Sequence, residues 1–334
     1  MLTHDEISRV LAHYDVGELR SVRAAGRGMI NETAFIETSV GRFVIRRNRR
    51  VSGLQSITFR HRLLDWLRQR GFPAPRILPA RNGETMVIVN DRVYELSIFI
   101  IGDEFNPARP QQLSDIGRVL ASYHRAVAGF PDLPPALTPR YLPSSLRSLT
   151  ERLITRDILG ELTIPLHWYE RRIADLCHKL SDEAYTALPH LLIHGDVHRD
   201  NLIFRGDAVA ALIDYDQVCV DARLVDVADA LVDMAIGSPP PGWSTWGVYR
   251  APLDLERVRL LLHAYNAITP LSHQEAAALT VMLEVVWLQG NLRRTLSTPD
   301  AEPEYHLELL GQGQWFSEWM DRHRDQVLSA GLAT

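Results

Sequence analysis

The first hundred residues contain short apolar-rich runs separated by glycine-containing turns, a pattern typical of antiparallel strands. The predicted strands are Leu19–Ala25, Thr33–Thr38, Arg42–Arg46, Thr85–Val89 and Arg92–Ile101. Apolar residues at helical spacing instead predict a short helix over 4–14 and a longer one over Ser56–Arg70, which ends before Gly71-Phe72-Pro73. The amino-terminal part is therefore predicted to be a β-meander combined with two helices.

Beyond residue 101 the hydrophobic pattern becomes mainly helical. The predicted helices are Leu113–Phe130, Ser144–Leu159, Ile164–Leu180, Leu255–Ile268, His273–Leu296 and Glu304–Ala330. The short apolar stretches between them are Leu191–His194, Leu202–Phe204 and Val209–Ile213. At 334 residues the chain is longer than one hydrophobic core usually spans. The sequence thus predicts an α+β protein with a small β-rich lobe, 1–101, and a larger, mainly helical lobe, 102–334.

The charge changes sign at the same boundary. Residues 1–101 carry 16 arginines and 10 acidic residues, a net charge of +6, whereas 102–334 carry 20 basic and 31 acidic residues, a net charge of -11. The overall charge of -5 and the hydrophobic content of 46 % are those of an ordinary globular protein, with no indication of nucleic-acid binding. Lysine is almost absent, with Lys179 as its single occurrence.

Composition also bears on the compartment and on partners. Two cysteines are too few for a disulfide framework or a cysteine-rich zinc site. The first residues lack the pattern of a secretory signal, and no run approaches the ~18 apolar residues of a membrane span. We therefore expect a cytoplasmic protein that binds neither membrane nor nucleic acid; the sequence leaves its oligomeric state open.

The most informative segment is His194-Gly195-Asp196-Val197-His198-Arg199-Asp200-Asn201, which is followed after two apolar stretches by Asp214. Phosphoryl transfer from a nucleotide requires a carboxylate to orient and deprotonate the attacking hydroxyl, and oxygen ligands for Mg²⁺. Asp196, Asn201 and Asp214 supply these groups. The spacing D-x-x-x-x-N, with a second aspartate after a strand pair, matches the kinase catalytic loop and its metal-binding aspartate.

The signature H-G-D-x-H-x-x-N resembles that of the aminoglycoside phosphotransferase and choline kinase family, which includes homoserine kinase and methylthioribose kinase. This resemblance covers residues 18–235 and implies a bilobal protein-kinase-like fold that uses ATP and Mg²⁺ to phosphorylate a small molecule's hydroxyl. It implies that Asp196 is the catalytic base and that Asn201 and Asp214 bind the metal. Asp226 resembles the helix aspartate that supports the catalytic loop.

The resemblance also implies a nucleotide site in the small lobe. The residues it assigns to nucleotide binding are Gly26 and Gly28 in a phosphate-binding loop, Arg46 on the third strand, and Phe99, Ile100 and Ile101 in a hinge whose backbone meets adenine. Zinc binding by His194 and His198 is a weak alternative, because the segment contains glycine and offers no third soft ligand.

Two residues depart from the family pattern. Arg46 stands where a lysine should reach the phosphates, and Arg60 appears where a helix glutamate should pair with that cation. Two like charges cannot form this ion pair. Either the register of the helix differs, or Gln55 substitutes for the glutamate, or Glu32 or Glu95 provides the counter-charge for Arg46, or the nucleotide site has changed. These departures motivate an alternative hypothesis, a nucleotide-binding pseudokinase.

The acceptor is less well defined by the sequence. Asp221, Asp229, Asp233 and Glu284 are compatible with a cationic acceptor, although solvated helix faces explain such charges equally well. Trp243 and Trp246 flank a proline-rich loop and could stack on a ligand. The leading hypothesis is a phosphotransferase acting on an amino alcohol, sugar or aminoglycoside. A Ser/Thr protein kinase ranks lower, since little chain separates Asp214 from Asp226.

Overall fold

The computed structural model describes residues 2–25, 32–48, 53–132, 141–157, 159–237 and 251–332. Contacts divide the chain into two compact units. The first comprises Met1–Asp103, Phe130–Pro135 and Leu202–Asp216, and the second comprises Glu104–Gly129, Ala136–Asn201 and Gln217–Thr334. The first unit thus extends beyond the predicted lobe 1–101, because it recruits a segment from the middle of the chain.

The first unit contains a five-stranded antiparallel sheet in the order β1-β2-β3-β5-β4. Its elements are α1 (His4–Leu11), β1 (Leu19–Ala24), β2 (Glu32–Thr38), β3 (Arg42–Asn48), α2 (Leu54–Gln69), β4 (Val87–Val89) and β5 (Arg92–Ile98). Ile45 pairs with Leu96 across β3 and β5, and both are fully buried. Because side chains alternate along a strand, the neighbouring pair, Arg46 and Glu95, lies on the opposite face.

A hairpin formed by β7 (Leu202–Arg205) and β8 (Ala208–Leu212) completes this unit. The backbone amide of Asp103 donates to the carbonyl of Phe204 at 2.8 Å, and the amide of Phe204 donates back at 2.9 Å. A Cβ at Gly102 would lie 2.4 Å from the Phe204 carbonyl, so glycine is required for this approach. The prediction that the fifth strand continues to Ile101 is wrong, because the chain leaves the sheet after Ile98 to meet this hairpin.

The second unit is mainly helical, and the helices predicted there are confirmed with small changes at their ends. Its helices are α3 (Pro110–Val127), α4 (Ser145–Arg156), α5 (Thr163–Lys179), α6 (Asp182–Thr186), α7 (Leu224–Met234), α8 (Leu255–Asn266), α9 (His273–Ser297) and α10 (Pro303–Leu332). Strands β6 (His190–Ile193) and β9 (Cys219–Ala222) pair antiparallel. Among the helices of the described segments, none is long and apolar enough to span a bilayer.

An ion pair at the start of α9 gives a pH-dependent contribution to stability. Glu275 is fully buried and accepts hydrogen bonds from Arg223 Nε at 2.6 Å and from the Ser272 amide at 2.8 Å. Burial acts to raise the pKa of Glu275, but the bonds from Arg223 and Ser272 hold it below its usual value.

A depressed carboxyl pKa stabilises the fold above the unfolded-state value and loses this effect as the pH falls through the folded-state value. Thermal melts of the native protein and of Glu275→Gln should therefore differ most near neutral pH and converge as the pH falls below the ordinary pKa of a glutamate, about 4.3. A difference that stays constant from neutral to acidic pH would contradict the assignment.

Candidate active site

The segment with the kinase-like motif connects β6 to a short 3₁₀ turn, Arg199–Asn201. Gly195 has a φ of 74°, in the left-handed region where glycine carries no steric cost. A Cβ at this position would also lie 2.8 Å from the carbonyl of Gln217. Glycine before Asp196 is therefore required by the backbone path that carries this aspartate out of the strand.

Asp226 of α7 holds the start of the loop. Its carboxylate accepts from the backbone amides of His194 at 2.9 Å and Gly195 at 2.8 Å. The same carboxylate lies 3.1 Å from Nε2 of His124, whose Nδ1 contacts the hydroxyl of Tyr265 at 2.7 Å. Asp226 is fully buried, so these bonds replace water around its charge. They confirm the interpretation of Asp226 as a support for the loop.

Two further aspartates on α7 bind later parts of the same loop. Asp233 accepts from the Arg199 amide at 2.7 Å and from Arg199 Nε at 3.0 Å. Asp229 accepts from the Val197 amide; burial and the nearby charge of Asp196 raise the pKa of Asp229 well above its usual value. Spacings of three and four residues place the three aspartates on one face of the helix. One helix face thus holds the catalytic-type loop along most of its length.

Asp196 remains accessible, with 40 % of its side chain exposed. The side-chain amide nitrogen of Asn201 donates to the backbone carbonyl of Asp196 at 2.8 Å and to Oδ2 of Asp196 at 3.1 Å. Burial acts to raise the pKa of Asp196, but His198 and Asn201 lower it below its usual value, so the carboxylate is ionised. Burial likewise acts to lower the pKa of His198, and its contact with Asp196 raises it to about 9. The loop therefore presents an ionised carboxylate beside the ring of His198.

In the first unit, Arg46, Glu95, Arg60 and Asp216 form a closed ring of alternating charge, called here the ionic ring. Arg46 Nη2 binds Asp216 Oδ2, and Arg46 Nη1 lies 3.9 Å from Glu95 Oε1. Arg60 Nη1 binds Asp216 Oδ1 at 2.5 Å, and Arg60 Nη2 binds Glu95 Oε2. Glu95 is therefore the counter-charge of Arg46, while Glu32 binds Arg47 instead. Like charges at Arg46 and Arg60 are compatible because each acid contacts both.

Asp214 lies two residues before this ring's Asp216 and has 45 % of its side chain exposed. Its backbone φ is 63°, in the left-handed region that aspartate tolerates better than most residues. Its Oδ1 lies 3.7 Å from Arg46 Nη2. The predicted metal-binding aspartate is thus exposed in the first unit beside the cation predicted to bind phosphate.

The predicted hinge residues follow β5 in the same unit. The Phe99 amide donates to the carbonyl of Arg42 at 3.1 Å, and the Phe99 ring packs edge-on against Phe35. The carbonyl of Ile101 accepts from Arg205 Nε at 3.0 Å, while the Ile101 side chain is exposed. Ile100, between these two anchors, has no backbone hydrogen bond to another described residue.

Other predicted residues have different outcomes. Gly26, Gly28, Trp243 and Trp246 lie outside the described residues. Asp196 and Asn201 belong to the second unit, whereas Arg46, Phe99, Ile100, Ile101 and Asp214 belong to the first. Within the described ranges, no group of three or more His, Cys, Asp or Glu side chains could hold a metal, which gives no support to zinc binding by His194 and His198.

The acidic residues considered for a cationic acceptor have partners inside the second unit. Asp221 is fully buried and accepts from Tyr185 and from the Ala222 amide at 2.8 Å. Glu284 is also fully buried and accepts from Arg172 Nε at 2.8 Å and Arg324 Nη2 at 2.7 Å. Asp229 and Asp233 bind the loop, as described above. These acids stabilise the fold rather than presenting free charges to an acceptor.

The fold and the motif are shared with known phosphotransferases. The profile of the phosphotransferase enzyme family matches residues 21–282. The homoserine kinase of Methylobacillus flagellatus is 29 % identical over 294 residues, which cover 88 % of this chain and 85 % of that protein. An aminoglycoside phosphotransferase from Alicyclobacillus acidocaldarius superposes with a TM-score of 0.67 at 17 % identity, over 96 % of this chain and 95 % of the other.

A choline kinase from Cryptosporidium parvum superposes with a TM-score of 0.66 at 12 % identity, covering 98 % of both chains. The fold is therefore protein-kinase-like, and the protein is a small-molecule kinase that acts on a hydroxyl group. The chain belongs to the phosphotransferase enzyme family.

Proposed function

We propose that this protein transfers the γ-phosphoryl group of ATP to the hydroxyl of a small amino acid, with Asp196 as the catalytic base. The hydroxyl oxygen bonds to phosphorus as the bond to the ADP oxygen breaks, and the hydroxyl proton passes to Asp196. The observation that carries the proposal is the ionised, accessible carboxylate of Asp196, held by Asn201 in a loop that α7 supports.

The contacts of Arg46 support nucleotide binding by the first unit. Its Nε is buried and has no hydrogen-bond partner among the described residues, so the guanidinium retains a donor for a phosphate oxygen. Phe99, Ile100 and Ile101 are proposed to meet the adenine through their backbone, and Gly26 and Gly28 to contact the phosphates. The like charges that motivated the pseudokinase hypothesis are balanced by Glu95 and Asp216.

The proposed metal ligands suit Mg²⁺ in their chemistry. Asn201 uses its amide nitrogen on Asp196, which leaves its Oδ1 as an oxygen ligand, and Asp214 offers an exposed carboxylate. Hard oxygen donors of this kind are the ligands that Mg²⁺ prefers. When bound, the ion would offset negative charge on the transferred phosphate.

An exposed cation near the loop supports an acceptor that carries a carboxylate. The Arg293 guanidinium lies 5.6 Å from the centre of the Tyr141 ring, and the Tyr141 hydroxyl donates to the Gly195 carbonyl at 3.4 Å. Arg293 has no hydrogen bond or ion pair among the described residues. Because the acids considered for a cationic acceptor, Asp221, Asp229, Asp233 and Glu284, have partners within the fold, the exposed charge of Arg293 favours an anionic group on the acceptor. Homoserine, the substrate in the name of the relative from M. flagellatus, carries both a hydroxyl and a carboxylate.

The first experiment is ADP release with Mg²⁺-ATP and a panel of acceptors: L-homoserine, 3-aminopropan-1-ol, choline and kanamycin. The first two differ only in the carboxylate. We expect ADP release with homoserine and a KM at least about tenfold higher for 3-aminopropan-1-ol, because one charge-assisted pair is lost. No acceptor-dependent ADP release, despite nucleotide binding, would favour the pseudokinase.

The contribution of Arg293 is tested in the same assay. Arg293→Ala should raise the KM for homoserine about tenfold and leave that for 3-aminopropan-1-ol unchanged. Arg322→Ala, which removes an exposed arginine from α10, is the matched control. Equal effects of Arg293→Ala on both acceptors would contradict carboxylate binding without contradicting kinase activity.

A further inference from the structure

The ionic ring uses different carboxylate oxygens for its two arginines, and its hydrogen bonds are unequally shared. Arg46 makes one, to Asp216, whereas Arg60 makes two, to Asp216 and Glu95. Asp216 presents Oδ2 to Arg46 and Oδ1 to Arg60, and Glu95 presents Oε1 to Arg46 and Oε2 to Arg60. Neither carboxylate is therefore available to Arg46 with both oxygens. Since bidentate pairing is the strongest arginine–carboxylate arrangement, Arg60 prevents Arg46 from being fully engaged by acids.

We propose that Arg60 is the positioning residue of the nucleotide site, because it holds Glu95 and Asp216 and leaves Arg46 with donors that can bind phosphate. This inference rests on the proposed function, which assigns Arg46 to the nucleotide. Arg60 takes this role from α2 through its bonds to both acids, and we do not propose a direct contact between Arg60 and the nucleotide. Helix α2 thus supplies a cation, Arg60, where the family pattern has an acid. The acid that pairs with Arg46 is instead Glu95 of β5.

Burial explains why the negative charge of Glu95 needs the positive charge of Arg60. Arg60 is 8 % exposed and Glu95 is 5 % exposed, so water screens them poorly. Glu95 has further contacts with His61 Nε2 at 3.0 Å and Asn48 Nδ2 at 3.4 Å, but Arg60 is the permanent cation that binds its Oε2. Without Arg60, two acids of the ring would compete for Arg46 alone, and one uncompensated negative charge would face the incoming phosphates.

Arg60 also fixes the segment that follows Asp214. Its bond to Asp216 joins α2 to the chain two residues after the proposed metal ligand. The left-handed backbone of Asp214 lies between the β8 strand and this anchor. When Arg46 turns toward a phosphate and releases Asp216, the bond from Arg60 keeps that segment in place.

The test compares steady-state kinetics of the full chain with Mg²⁺-ATP and homoserine for three variants: Arg60→Gln, Arg60→Lys and the control Arg62→Gln. Arg62 is on the same helix in an exposed ion pair with Asp132 at 3.0 Å. We expect Arg60→Gln to raise the KM for ATP about tenfold or more, with the KM for homoserine unchanged. Arg60→Lys should recover part of the loss, and Arg62→Gln should resemble the native protein.

A second variant separates positioning from folding. Adding Asp216→Asn to Arg60→Gln removes one acid together with the cation, so Arg46 regains free donors. We expect this double variant to bind ATP more tightly than Arg60→Gln alone, which a purely structural role would not produce. If Arg60→Gln has a native KM for ATP, or if the double variant is weaker still, the inference is overturned. If the native protein itself does not bind Mg²⁺-ATP, the proposed function fails first.

Discussion

Replacement of Asp196 by asparagine should lower the rate of ADP release by roughly 10²- to 10⁴-fold, the usual contribution of a positioned general base. Asparagine has the same shape but cannot accept the proton of the attacking hydroxyl. Its amide oxygen can still accept from Asn201 Nδ2, and the bond from Asn201 to the backbone carbonyl at residue 196 is unaffected. The loss should therefore fall on kcat, with little change in stability.

Two measurements complete this test. Mg²⁺-ATP should stabilise Asp196→Asn in a thermal shift assay as much as it stabilises the native protein, because Asp196 is not proposed to bind the nucleotide. Asp300→Asn makes the same charge change at an exposed position of the second unit and should retain native activity. Turnover by Asp196→Asn close to the native rate would sink the assignment of the base.

The largest stability loss is expected for Asp226→Ala. This change leaves the amides of His194 and Gly195 and the ring of His124 without their shared acceptor in a fully buried position. Removing one member of such a buried network costs about 3–5 kcal/mol of unfolding free energy. Because these amides set the path of the chain into Asp196, activity should also fall at temperatures where the protein remains folded.

Chemical denaturation measures this loss directly. Asp175→Ala is the matched control, since the Asp175 side chain is 41 % exposed and pairs with Lys179, which also lies on α5. Its cost should be at most about 1 kcal/mol, as for other surface ion pairs. An Asp226→Ala protein no less stable than Asp175→Ala would show that the loop does not depend on α7.

Local sequence patterns were sufficient to predict most of the elements. Helices α2, α3 and α9 have 16, 18 and 25 residues, so long apolar-rich runs of helical character identify them. Strand β9 and helix α7 were harder to predict. The helix has eleven residues, most of them buried, and a short run rich in apolar residues does not by itself distinguish a buried helix from a buried strand.

The site was predictable only where its residues are close in sequence. The loop from His194 to Asn201 carries its own spacing signature. In contrast, Glu95 was one of several acids that could have paired with Arg46, because the choice depends on strand register between β3 and β5. The role of Asp216 depends on a hairpin more than a hundred positions from β5 that joins the first unit. The aspartates at positions i, i+3 and i+7 of α7 share one helix face, and this spacing indicates a common role in binding the loop. Considered only as negative charges, they suggested a cationic acceptor instead.

The membership of Leu202–Asp216 in the first unit has a consequence for synthesis of the protein on the ribosome. The sheet strands β1 to β5 are complete once residue 98 has emerged, but Asp216 follows on the order of a hundred residues later, about 5–20 s at typical elongation rates. During that interval Arg46 and Arg60 share Glu95 as their acid within the ring. The nascent amino-terminal unit therefore reaches its final charge balance only after the catalytic-type loop has been translated.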